Sequence, residues 1–145
     1  MAGYAASRTA VVRASAQACF DALTDLDRMP EWQSSLKEVT VEERDAHGRG
    51  TVVAFALDAK VRTVRYRLRL SHDEPRRIGS EYLGGDFANL EAEWRFEPVA
   101  DDATEVTLAI VLDPGRFVPG PVRKVVQEVV LDRSLKDLKK RVEGR

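Results

Sequence analysis

Tyr66, Ser80, Tyr82 and Trp94 carry polar tips in the apolar phase of alternating segments, so any chemistry in the interior of this molecule starts with them. Hydroxyls and an indole N–H can hydrogen-bond or orient a carbonyl, but acid-base catalysis also needs a titratable partner within reach of substrate. The two histidines, His47 and His72, fall in segments rich in turn formers, which predicts solvated positions. His72 closes a strand and could border the mouth of a cavity. The single cysteine, Cys19, has no internal disulfide partner and reads as a small buried side chain of a helix.

No metal site is expected: one cysteine, two distant histidines and no HExxH or CxxC spacing leave no ligand set. Gly84 and Gly85 lack the context of a phosphate loop and read as a turn, and no GxSxG is present. No cofactor is predicted.

The elements that must position these residues alternate with a period of two over most of the chain. A first strand is expected over 7–14, then Ser15 as helix N-cap for AQACFDALTDL, whose apolar side holds Ala18, Cys19, Ala22, Leu23 and Leu26. A second short helical piece, MPEWQSSL, is predicted with Pro30 in its opening turn and Trp32 as its large anchor. From Leu36 the alternation starts, with Val39 and Val41, then Val53, Phe55 and Leu57. The segment 61–71 places Val64, Tyr66, Leu68 and Leu70 on one face and Arg65, Arg67 and Arg69 on the other. Ile78, Ser80 and Tyr82 follow, then Leu90, Ala92, Trp94 and Phe96, and last Val106, Leu108, Ile110 and Leu112. Connections of hairpin length favour an antiparallel sheet.

The closing segment, 121–145, follows Pro119-Gly120-Pro121 and reads as a long helix with two apolar stripes. Val122, Val125, Val126 and Val129 cluster on one side, and Leu131, Leu135, Leu138 and Val142 lie nearly opposite. One straight helix cannot aim both at one sheet. The leucine half is expected to be gripped by the sheet. The β-branched half is expected to bend, fray or be covered by the loop at Phe117, the short-helix corner or a second subunit.

At 145 residues the chain is the size of one domain, with 23 basic and 24 acidic residues and a formal net charge of −1. That balance leaves no whole-molecule footprint for nucleic acid. The N-terminus lacks the uninterrupted apolar run of a signal sequence or membrane span, so a cytoplasmic protein without integral membrane association is the expectation. The arginine face of 61–71 could meet an acidic partner or RNA, but cross-strand pairing with Glu91, Glu93 and Glu97 is the simpler expectation.

Three stretches, ASAQACFDALTDLDRMPEW, YLGGDFANLEAEWRFEPVADDATEVTLAI and SLKDLKKRVE, together with the strands between them, resemble the START-like (SRPBCC, helix-grip) superfamily. The branch is the bacterial polyketide cyclase/dehydrase and coenzyme Q-binding-like one. The resemblance implies an α+β helix-grip fold over 1–145: a curved seven-stranded antiparallel sheet wrapped around a long C-terminal helix, with two short helices after the first strand. It also implies an elongated apolar cavity between sheet and helix, holding a lipid, quinone or polyketide-like molecule.

On this basis Trp32, Phe55, Tyr66, Leu68, Ser80, Tyr82, Leu90, Trp94, Phe117 and Val126 are the expected ligand-binding residues. Pattern alone leaves a filled core and a hollow one equally open. The first functional expectation is binding of a hydrophobic or amphipathic small molecule by a monomer or homodimer. The second is a polyketide cyclase or dehydratase in which Tyr66, Tyr82 or Ser80 orients or protonates a carbonyl. The third is a protein- or ribosome-associated interaction module using the arginine face.

Overall fold

The computed structural model describes residues 4–58, 62–113, 115, 124 and 129–144. Phe117, Val126, the start of the last helix and most of the valine stripe lie outside the described residues. The described elements are β1 (Tyr4–Val12), α1 (Ala16–Thr24), a 3-10 helix (Leu26–Glu31), β2 (Leu36–Arg44), β3 (Gly50–Asp58), β4 (Thr63–Asp73), β5 (Arg77–Gly85), β6 (Asn89–Ala100), β7 (Ala103–Asp113), a π turn (Val129–Arg133) and α2 (Ser134–Val142). The strands form one open antiparallel sheet in the order β1-β7-β6-β5-β4-β3-β2. Sequential hairpins build all of it except the β1–β7 pairing, which brings the first strand beside the last. This is the expected seven-stranded α+β arrangement.

Ser15 caps α1 as its residue type predicts: its backbone is extended and its hydroxyl accepts the Ala18 N–H at 3.1 Å. Cys19 and Leu23 are buried on the inner side of α1, together with Phe20, which the predicted apolar side omits and which is fully buried. Phe20 meets the Phe96 ring edge-on at 6.4 Å, joining α1 to β6.

The second helical piece differs from its expectation. It begins at Leu26, is a 3-10 helix, and holds Pro30 near its end. Leu26 and Met29 are its buried residues, spaced at the three-residue period of a 3-10 turn. Trp32 closes it, half-buried against the core.

The leucine stripe of the closing segment faces the core: Leu131 and Leu138 are fully buried and Leu135 nearly so. The backbone takes a π turn over Val129–Arg133, which holds Val129 of one stripe and Leu131 of the other. Such a turn holds more residues than an α-turn and rotates the helical residues beyond it to a new phase. α2 packs on α1 and along β1. Ties to the β1 side complete that edge: Arg8 pairs with Asp132 at 3.1 Å, Lys139 Nζ donates to the Val11 carbonyl at 3.3 Å, and the Arg13 N–H donates to Glu143 at 2.9 Å.

The outer-face arginines find partners other than those expected. Arg65 pairs with Glu38 at 2.9 Å, Arg67 with Glu42 at 2.7 Å and Arg69 with Glu81 at 3.0 Å. The expected glutamates are on β6, and β5 stands between β4 and β6. Instead Arg65 reaches β2 over Ala56, which lies in register between it and Glu38. Glu93 pairs with Arg77 at 2.5 Å and also with Arg95. Exposed pairs of this kind each contribute about 0–1 kcal/mol.

Candidate functional site

A concave pocket of about 110 Å³ lies where β3 to β6 face the 3-10 helix and the start of α2. Its walls are aliphatic and aromatic, with Leu68, Ile78 and Leu108 from the sheet, Leu26 and Met29 from the 3-10 helix, and Trp94 at the side. The period-two phases put these side chains here: Val64, Tyr66 and Leu68 are buried while Arg65, Arg67 and Arg69 point outward.

Of the ten residues expected from sequence, Phe55, Tyr66, Leu68, Ser80 and Trp94 are brought together in this pocket. Leu90 is buried in the core beside Leu112, and Trp32 anchors the 3-10 corner; neither lines the pocket. Tyr82 sits apart as well.

The hydroxyls of Ser80 and Tyr82 are both engaged by backbone groups. The β5–β6 ladder pairs only Arg77 with Arg95, Ile78 with Trp94 and Gly79 with Glu93. Beyond that point, hydroxyls replace the backbone. Ser80 Oγ donates to the Ala92 carbonyl at 3.0 Å and accepts the Ala92 N–H at 2.8 Å. Further along, Tyr82 Oη donates to the Phe87 carbonyl at 2.7 Å and accepts the Phe87 N–H at 3.1 Å. Ser80 thus stitches β5 to β6 where the ladder ends, and Tyr82 ties β5 to the connection between the two strands. Replacing Ser80 by alanine leaves a backbone donor and acceptor without partners, and we expect it to lower the unfolding free energy by about 1–3 kcal/mol. Urea unfolding of Ser80→Ala measures this, and an unchanged midpoint and slope would show that the seam needs no hydroxyl.

Tyr66 is the contrasting case. It is 7% exposed, its ring stacks on Phe55 at 5.3 Å and lies 5.8 Å from Phe87, and its hydroxyl has no hydrogen-bond partner among the described residues. Burial pushes the phenol far above its ordinary value, so it stays a protonated donor. Among the described lining residues it is the one titratable side chain.

His72 belongs to β4 rather than to the turn, and it is half-buried against the Phe20 ring at 6.0 Å. Desolvation, followed by the nearby Arg49 guanidinium, lowers its pKa. It does not line the pocket. His47 lies in the β2–β3 turn, as expected. Cys19 is buried, which pushes its thiol up to about 11 and keeps it protonated at neutral pH. Among the described residues no group of three or more His, Cys, Asp or Glu could hold a metal ion.

Two lining residues escape a sequence reading: Gln33 and Ser35 are polar, sit in a short loop, and yet are 3% and 5% exposed. Gln33 meets α2, whose Ser134 carbonyl accepts its side-chain N–H, and no local pattern points to that contact.

The family profile for polyketide cyclase / dehydrase and lipid transport matches residues 5–143. The chain belongs to that family. No curated protein matches the sequence. Among solved structures, a START superfamily protein from Mycobacterium smegmatis is 24% identical, with a TM-score of 0.85 and 97% of each chain covered. The Zhui aromatase/cyclase from Streptomyces sp. R1128 is 18% identical, with a TM-score of 0.81 over 97% of this chain and 94% of its own. A protein from Thermus thermophilus is 21% identical, with a TM-score of 0.80 over 97% and 98% of the two chains. At these identities the likeness is one of fold. No helix among the described residues is long and apolar enough to cross a membrane.

Proposed function

We propose that this member of the family binds a hydrophobic or amphipathic small molecule through a ring or chain seated in the pocket of Tyr66 and Trp94. The observation that carries this reading is the Tyr66 hydroxyl: a buried donor without a partner among the described residues, on a ring that lines a mostly apolar pocket. Buried hydroxyls normally find partners within the protein, and one held free is suited to a ligand acceptor such as a carbonyl.

The volume limits what is seated. About 110 Å³ is somewhat less than the ~150 Å³ apolar cavity that accommodates benzene, so one ring fills it and the rest of a larger ligand extends past the mouth. The family description, covering polyketide chemistry and lipid transport, agrees with a ligand of this kind. Simple retention, rather than turnover, is the better-supported role. The Ser80 and Tyr82 hydroxyls are engaged by the backbone of Ala92 and Phe87, and Tyr66 has no titratable partner among the described lining residues.

Acetophenone and ethylbenzene, which differ in one carbonyl, test the reading by calorimetric titration. The wild type is expected to bind acetophenone, and Tyr66→Phe is expected to lower the acetophenone-to-ethylbenzene affinity ratio about tenfold, the worth of one buried hydrogen bond. Absence of binding of either ring compound to the wild type would refute a ligand pocket.

A further inference from the structure

The pocket has a second polar corner, which no strand supplies. Gln33 and Ser35 reach it from the loop between the 3-10 helix and β2. The loop is tied down on every side: the Gln33 N–H donates to the Met29 carbonyl at 2.8 Å, the Leu36 N–H to the Gln33 carbonyl at 3.0 Å, and the Asp58 N–H to the Ser35 carbonyl at 2.8 Å. Ser34, between them, faces outward and donates from both its N–H and its hydroxyl to Asp137 of α2, at 3.0 and 2.9 Å.

The chemistry of Gln33 is directional. Its Nε2 donates to the Ser134 carbonyl at 3.2 Å. A carbonyl can only accept, so this bond orients the amide and turns Oε1 away from Ser134. Among the described residues no hydrogen bond reaches Gln33 Oε1 or the Ser35 hydroxyl, although both residues are more than nine-tenths buried. The corner therefore offers a fixed acceptor and an adaptable hydroxyl, both unpaired among the described residues. Apolar side chains here would avoid the cost of unpaired polar atoms.

We infer that Gln33 and Ser35 form a subsite for a hydroxyl group borne by a ring ligand. The ligand O–H donates to Gln33 Oε1, and its oxygen accepts from the Ser35 hydroxyl. A ketone at this corner would leave Oε1 unpaired, and an ammonium would bring an unpaired charge into an apolar pocket, so the corner selects a phenol or alcohol. Tyr66 is a donor for a carbonyl, whereas this corner takes a hydroxyl. The inference rests on the reading of the pocket as a ligand site.

Phenol and toluene, rings of matched size, separate the two claims when titrated into the full chain. Binding of toluene by the wild type concerns the pocket alone. The subsite is read from the phenol-to-toluene affinity ratio, which the double variant Gln33→Leu, Ser35→Ala is expected to lower about tenfold. A ratio that stays within twofold of the wild-type value overturns the subsite and leaves the pocket standing. Binding of neither ring overturns both. Nitrogen-15 NMR of the unmodified protein tests the subsite even if the variant fails to fold: phenol, and not toluene, is expected to shift the Gln33 side-chain amide and the Ser35 backbone amide. Equal shifts with the two rings would exclude the subsite.

Discussion

Replacing Gly85 by alanine is expected to cost about 2–6 kcal/mol of unfolding free energy, against about 1–3 kcal/mol for the same change at Gly84. Both glycines have positive φ, 144° and 135°, so both substitutions strain the backbone. Only Gly85 is also crowded. A Cβ there would lie 2.3 Å from the Arg65 carbonyl oxygen and 2.5 Å from Tyr66 Cα, whereas one at Gly84 meets nothing within 4 Å.

The close approach has a local origin. The β4–β5 register shifts between Arg67 and Leu68, and Gly85 pairs directly with Tyr66. Just past it, Asp86 closes the ladder: its N–H donates to the Arg65 carbonyl at 2.8 Å and its carboxylate accepts the Arg65 N–H at 2.7 Å. With Gly85 held on one side by β4 and on the other by Asp86, an added methyl moves Tyr66 or breaks the pairing. Urea unfolding of the two variants in parallel measures the difference, and the acetophenone affinity should fall more for Gly85→Ala. Equal destabilisation by the two changes would show that β4 yields to the methyl, contrary to this packing.

Leu138→Ala is the second large effect, at about 2–5 kcal/mol. Leu138 is fully buried in the core where α2 meets α1 and the sheet, so truncation leaves a void that a well-packed neighbourhood closes only in part. Domains of this kind hold about 5–15 kcal/mol in all, so this one side chain is a large share. The loss reaches the pocket, because Ser134 at the start of α2 lines it and holds Gln33. The expected result is a lower urea midpoint together with weaker toluene binding. A loss below about 1 kcal/mol would mean that α2 is not gripped through its leucines.

Much of this architecture is legible along the chain because alternation and capping are local. Side chains in a strand point to opposite faces at every step, so Val64, Tyr66 and Leu68 were bound to share a face whatever partner β4 found. Ser15 needs only its own helix to act as a cap. Leu131, Leu135 and Leu138 are spaced for one helical face, and that face is the buried one.

The partners of these faces are decided elsewhere. Strand order inserts β5 between β4 and β6, which hands the arginines to Glu38, Glu42 and Glu81 instead of the β6 glutamates. The hydroxyls of Ser80 and Tyr82 share the inward period with Tyr66, but they bond the backbone of Ala92 on β6 and of Phe87 in the connection before it, while the Tyr66 hydroxyl has no partner among the described residues. Gln33 and Ser35 fall in the predicted helical piece MPEWQSSL, whereas the structure puts them in a loop, where Gln33 meets Ser134 of α2 about a hundred positions away in the chain. The sequence by itself determined the faces and the caps, since each depends on residues a few positions apart, and the family, whose pattern runs along nearly the whole chain. Which polar atoms remain unpaired in the pocket was decided by the tertiary structure, because a hydrogen-bond partner is set by distance in space and not along the chain.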